Sequence, residues 1–284
     1  MENIKDYSFR WRWNMVNDFR PQSIESSGIK SYPTANYVNY YGMQNGYPIN
    51  DMTKADAESG YDPTHPWKNR DPRFYKTIMF DGVKWRNTGG AGGTAELFTG
   101  GRESEEANEK KGCFTAYMNS KLCPQLMNTF DGYKENNIMI LSLMRLADVY
   151  LMYAEATAVG YNSPKGKAAT YSLTAEEALN KIRERAGVAP VLEKFLGSTA
   201  DFLSELRRER AVELSFEGFR FTDLRRWMLL TQYPYTLKTK IEFDRADPNN
   251  YNYDAPEENA IKNLREVVLI AVSYTHLTLP TNSR

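Results

Sequence analysis

The chain has 284 residues, 41% of them hydrophobic and 13% aromatic, which is ample for a globular core. Its 36 Lys and Arg balance 36 Asp and Glu to a formal net charge of zero, and the cations are scattered, so it lacks the basic footprint of a nucleic-acid binder. No run of about 18 apolar residues reads as a membrane span. Two cysteines, Cys113 and Cys123, fit either a disulfide or two thiols and do not fix a compartment.

Residues 1–70 have no helical periodicity and are rich in Tyr, Asn, Pro and Gly, the composition of long ordered loops. Trp11 and Trp13 alternate with arginines, and Tyr37, Tyr40, Tyr41, Tyr47, Tyr61 and Trp67 follow. Aromatic faces in loops suit sugars, whose C–H faces stack on the rings while nearby Asn, Asp and Arg take the hydroxyls. The competing reading is that each ring pins an irregular loop to the core.

Asp71 lies between Arg70 and Arg73 and reads as an ion-paired turn in preference to a catalytic carboxylate. Residues 74–80 read as a strand. With Asp81-Gly82 as a two-residue turn, they predict a short β-hairpin over about 73–86. The Gly-rich stretch from 88 to 101 lacks the Gly-Lys-Ser/Thr ending of a phosphate loop and reads as a mobile loop. It leads into the charged residues Glu103, Glu105, Glu106, Glu109, Lys110 and Lys111.

Residues 141–159 are helical and apolar almost all round, broken by Arg145, Asp148 and Glu155, which predicts burial on several sides. Ala147, Ala154 and Ala158 line one flank and admit a close partner. Thr174 to Glu177 forms a capping box that opens this partner helix, which runs to Gly187. The pair is a helical hairpin of tetratricopeptide-repeat type, and one such repeat does not bury both of its faces.

From Thr199 to Trp227, Phe202, Leu203, Leu206, Val212, Leu214 and Phe216 share one broad arc at ~100° per residue, with Ser204, Arg207, Arg208 and Ala211 facing away. Glu209, Arg210, Glu213 and Glu217 fall inside the apolar arc, Glu213 near its centre. Buried charges need partners. The candidates are Arg145, Arg210, Arg220, Arg225 and Arg226, with Gly218 ending or bending the helix so that Arg220 and Asp223 turn inward. Beyond Trp227 the chain reads as loop. The aspartates between 244 and 259 could bind calcium but lack the spacing of a known calcium loop, so neither a cofactor nor a metal is expected.

The phrase ERAVELSFEGFRFTDLRRW, residues 209–227, closely resembles the C-terminal signature of the SusD/RagB family of outer-membrane glycan-binding lipoproteins. Three segments resemble the same family in the same order: PTANYVNYYGMQNGYPI, RDPRFYKTIMFDG, and MRLADVYLMYAEA followed by ALNKIRERAG. The resemblance implies a mainly α, SusD-like fold with a tetratricopeptide-type helical hairpin, long irregular loops and a short β-hairpin. It also implies a chain that lacks its N-terminal half, because family members are nearly twice this long. Met1 then reads as an internal start, with a signal peptide and a lipid-bearing Cys expected upstream. Residues 1–130 are the loop-rich, glycan-facing part, 131–270 the helical part, and 271–284, which do not match the family ending, a non-native tail.

The implied function is non-catalytic capture of oligosaccharides at the cell surface, for uptake through a SusC-like TonB-dependent transporter in the outer membrane. The signature motif is structural in this family, which assigns Arg145, Glu209, Arg210, Glu213, Glu217 and Arg220 to a buried ion network. By elimination, the carbohydrate contacts are expected at Trp13, Tyr40, Trp67 and Trp85. Two other readings compete: a glycoside hydrolase and a helical-repeat scaffold for protein partners. A hydrolase needs two carboxylates roughly 5–9.5 Å apart across a cleft, which Glu213 and Glu217 at i, i+4 on a core-facing arc do not offer. The scaffold leaves the aromatic first third without a role. With His65 and His276 the only histidines, no catalytic triad or zinc cluster is apparent.

Overall fold

Residues 32–85, 93–104, 112–121 and 142–271 are described in a computed structural model. Expectations for Trp11, Trp13, Cys123 and the tail beyond Ala271 fall outside them.

The first described stretch is loop, broken by one turn of helix, α1 (Ala35–Val38). A second short helix, α2 (Pro72–Thr77), replaces most of the expected strand. Its cause is local. Pro72 sits at the first helical position, and Asp71 caps the helix by accepting from the Arg73 amide at 2.8 Å. Only β1 (Ile78–Met79) is extended, and it pairs antiparallel with β2 (Met118–Asn119), not across the Asp81-Gly82 turn. The turn itself forms, with Gly82 at φ +82°, and leads to a lone bridge between Lys84 and Thr94. A Cβ on Gly82 would lie 2.4 Å from the Tyr251 hydroxyl oxygen and 2.9 Å from Pro256 Cβ. Gly82→Ala should therefore cost about 2–4 kcal/mol, as left-handed strain plus overpacking. A denaturation midpoint equal to that of the wild type would refute this.

Four helices follow. α3 (Leu146–Gly160) starts later than expected because Arg145 is extended, at φ −136°. α4 (Ala175–Ala186) has both hydrogen bonds of its capping box and ends at left-handed Gly187, as its sequence predicts. α5 (Thr199–Glu213) is capped by Ser198, and Gly218, also left-handed, precedes α6 (Phe219–Arg226). α3 packs on α4 and α5 through Ala147, Leu151, Ala154 and Ala158. Burial is one-sided: the several-sided burial that the apolar composition predicts is not met in this chain, whereas the uncovered face expected of a single repeat is present. Leu146, Val149, Met152 and Val159 on its other face are exposed.

After α6 the expected loop is in fact a long antiparallel ribbon, β3 (Leu237–Arg245) with β4 (Ile261–Ala271). In β3, Thr239, Ile241, Phe243 and Arg245 alternate inward, the period of a half-buried strand. Asp244 and Asp247 serve the turn region: Asp244 accepts from Asn263 at 2.7 Å, and Asp247 caps the 3-10 turn Pro248–Asn250. Among the described residues no helix is long and apolar enough to cross a membrane, and no group of three or more His, Cys, Asp and Glu is placed to hold a metal ion.

Two cores result. One lies beneath the loops and ribbon and gathers Tyr41, Trp67, Phe74, Phe80, Trp85, Met118, Ile241 and Phe243. The other lies among α3, α4 and α5. α5 is the wall between them: Phe202 and Leu206 enter the helical core, Val212 the loop core.

Candidate functional site

The carboxylates of α5 lie on that wall, and they are paired as their position in an apolar arc demands. Glu213 is 4% exposed and accepts from Arg73 at 3.0 Å, Arg145 at 2.5 Å and Arg185 at 2.6 Å. Glu209 takes Arg73 at 2.5 Å and Arg183 at 2.9 Å, and Glu205 takes Arg183 and Arg208. Glu217, half-buried, takes Arg145 at 2.8 Å and Lys121 at 2.6 Å. Arg210 ties α5 to α3 and α6 through Asp148 at 2.5 Å and Asp223 at 2.7 Å. Burial by itself would raise the Glu209 carboxyl, but Arg73 and Arg183 override it and bring its pKa down from 4.5 to about 2. Arg73 comes from the loop body and Arg183 from α4, so the charges join the two cores.

Three expectations about this network change. Among the described residues Arg220 meets no carboxylate; it lies over the Tyr40 ring at 4.8 Å and the Tyr235 ring at 5.5 Å. Arg208 and Ala211 do not face solvent. Arg208 crosses to the loops, donating to the carbonyl oxygens of Tyr40 at 3.0 Å and Gly46 at 3.1 Å, and Ala211 is buried. Arg73, Arg183 and Arg185 were not among the candidates. Arg183 was legible, since it follows Ala178, Leu179 and Ile182 at helical spacing on the buried face of α4.

The four aromatic residues expected to meet sugar separate. Trp13 is outside the described residues. Trp67 is fully buried, stacked on Phe80 at 5.0 Å, and Trp85 is 3% exposed, so both are core side chains in this structure and offer no open face. The reason is their neighbours: each lies in a segment that closes the loop core. Of the three that are described, Tyr40 lines a cleft.

That cleft, of about 400 Å³, is walled by Tyr37, Tyr40, Phe216, Phe221 and Tyr235, with Arg220 and Lys238 at its polar side. Tyr37 stands edge-on to Tyr40 at 5.8 Å and donates its hydroxyl to the Ala211 carbonyl at 2.7 Å, which fixes both rings against α5. Asn36 joins α1 to β3, donating to the Leu237 carbonyl at 2.8 Å and accepting from the Thr239 amide at 3.2 Å. Burial raises the pKa of the Tyr40 phenol against the opposing pull of Arg220, so at neutral pH it is a hydroxyl that can both donate and accept. The site thus draws on positions about 200 residues apart, and only the Tyr-rich loop gave a sequence signal for it.

A larger cleft, of about 920 Å³, borders the ion network at Arg73, Lys76, Lys121, Arg145 and Arg185. Its two carboxylates, Glu213 and Glu217, are both held by cations. The Glu217 carboxyl is lowered, Arg145 and Lys121 outweighing its burial, the opposite of a general acid. Cys113 is a buried free thiol, 3.2 Å from the Tyr117 carbonyl oxygen, and burial pushes its pKa up to about 11, the opposite of an activated nucleophile.

No curated protein matches the chain. A crystal structure of a SusD-like protein from Bacteroides fragilis is similar in fold, with a TM-score of 0.59 at 21% identity over 92% of this chain. The match covers 46% of that protein, so the chain spans about half its length. A SusD superfamily protein from Bacteroides vulgatus matches over 76% of the chain with a TM-score of 0.43. The model of the SusD family matches residues 1–277, reaching into the expected tail, and the fold agrees with it: the chain belongs to the SusD family.

Proposed function

We propose that the protein is a non-catalytic glycan-binding component of nutrient uptake. In this reading it is held at the outer-membrane surface by a lipid anchor and passes oligosaccharides to a SusC-like TonB-dependent transporter. Family membership supports the binding role. The observation that carries it is the aromatic cleft, where the Tyr40 and Tyr235 rings flank Arg220 and the exposed Phe221 borders the opening. Rings of this kind, with a few fixed polar groups, suit the alternating apolar and hydroxylated faces of a pyranose. Among the described residues no carboxylate lines the cleft, and the acids of the larger cleft are bound to arginines, so the non-catalytic reading is favoured over a glycoside hydrolase.

The test is calorimetric titration with a panel of plant, algal and host oligosaccharides, each incubated in parallel to look for new reducing ends. Binding without new reducing ends is expected, and Tyr40→Ala should weaken it by about 2 kcal/mol, roughly thirtyfold. Hydrolysis would favour the enzyme, and unaltered affinity in Tyr40→Ala would exclude this cleft.

A further inference from the structure

Among the described residues, Arg220 and Lys238 are the two cations lining the aromatic cleft, and every other lining residue is neutral. This departs from the rest of the signature segment. Arg210 is paired with Asp148 and Asp223, and Arg226 with Glu155 and Asp223. Arg220, on the same helix as Arg226, has no carboxylate partner among the described residues; it lies over the Tyr40 and Tyr235 rings, at 4.8 and 5.5 Å. Lys238 donates to the Tyr235 carbonyl at 3.1 Å, which leaves two of its three ammonium protons without a protein acceptor among the described residues. Burial and the neighbouring Arg220 both lower the Lys238 pKa, as expected for two like charges in one half-buried space without a counter-charge. A ring face orients a guanidinium but does not neutralise it, so both charges remain open to an anion.

We propose that the sugar bound in this cleft is acidic: a uronate carboxylate or a sulfate ester, on a ring that stacks against Tyr40 or Tyr235, pairs with Arg220 and Lys238. The proposal rests on the glycan-binding reading above and narrows it to anionic polysaccharides. The planar guanidinium would take two anion oxygens side by side, and the ammonium would take a third contact from the rim.

The full chain is titrated with oligogalacturonate and chondroitin 4-sulfate oligosaccharides. Each is matched by its carboxyl-reduced or desulfated counterpart, which separates carboxylate from sulfate, and neutral galactan and glucan oligosaccharides complete the set. At least one acidic series should bind about tenfold or more tighter than its neutralised counterpart, and lose affinity as salt rises from 50 to 500 mM, on the order expected for charge-assisted contacts. Lys238→Gln should lose about tenfold toward the acidic ligand and clearly less toward its neutralised counterpart. Arg220→Gln is a second variant, but it also removes the bridge between two rings; Lys238→Gln is the cleaner probe because the lysine holds only a backbone carbonyl. Equal affinity for the neutralised ligands, or an acidic ligand indifferent to Lys238→Gln, would overturn the acidic-sugar proposal and leave the glycan-binding reading intact. Failure of every sugar in the set to bind would overturn the glycan-binding reading, and this proposal with it.

Discussion

Glu209→Ala is expected to destabilise the protein by about 3–5 kcal/mol, the usual cost of removing one member of a buried ion pair, with a fall in Tm on the order of 10 °C. Arg183 is fully buried and holds Glu205 and Glu209, and its Nη1 has no partner among the described residues. Without Glu209 it would keep one carboxylate, already shared with Arg208. Arg73 would lose its link at 2.5 Å and keep Asp71 and Glu213. The same pairing has a pH signature. The Glu209 carboxyl is lowered in the folded chain from 4.5 to about 2, so the unfolded chain binds its proton first as pH falls. Its contribution, about 3 kcal/mol, is therefore complete above about pH 4.5 and disappears as pH drops toward 2. Urea midpoints of wild type and Glu209→Ala should differ fully at pH 7 and converge at the acid end of that window. A gap that stays constant to pH 2 would mean that the loss is one of packing and not of charge. Glu209→Leu combined with Arg183→Met should recover part of the stability, because an apolar pair of similar volume needs no desolvation.

The helical half of the chain was legible because its signals are local. The box from Thr174 to Glu177, the stop at Gly187 and the apolar arc of α5 each act within a few residues, and each appears in the fold. The burial of Glu213 was legible for the same reason: its place on the arc is set by helical period alone. Two local signals were present but outweighed. Asp71-Pro72 is a cap followed by a first-turn proline, yet the β-prone residues after it suggested a strand. The alternation from Leu237 to Arg245 is that of a strand, yet the polar composition suggested a loop. The fates of Trp67, Trp85 and Arg220 were not legible. Whether a Trp in a loop stacks on Phe80 or faces solvent, and whether Arg220 meets a carboxylate or Tyr40 and Tyr235, is decided by segments more than ten and up to 180 residues away. A side-chain period says which way a residue points, not what arrives opposite it.

Arg70→Met should be nearly as damaging, about 3–5 kcal/mol, through a different cause. Arg70 is 1% exposed and has no ion pair with a carboxylate among the described residues; its charge is held by backbone carbonyls. It donates to Tyr41 at 3.0 Å, Gly42 at 3.4 Å, Pro66 at 2.9 Å and Val38 at 3.1 Å, and lies over the Phe74 ring at 4.7 Å. These carbonyls belong to the end of α1, the turn after it and the loop ahead of α2, so one side chain reinforces two irregular segments that are otherwise joined by an isolated bridge between Met43 and Arg70. Methionine would fill most of the volume but leave the carbonyls to find other partners. Val38 and Gly42 retain them in the amides of Tyr41 and Asp71, at 3.1 and 3.0 Å. The oxygens of Tyr41 and Pro66 do not, among the described residues, and each buried orphan costs about 1–3 kcal/mol. Lysine cannot substitute, because a point charge with three donors does not reach four acceptors spread across a planar fork. Arg70→Lys should therefore recover less than half of the loss. Chemical denaturation of the three proteins tests this, with near-ultraviolet circular dichroism reporting the packing of Tyr41 and Trp67. A lysine variant as stable as wild type would show that the cation, and not the fork of hydrogen bonds, holds these loops.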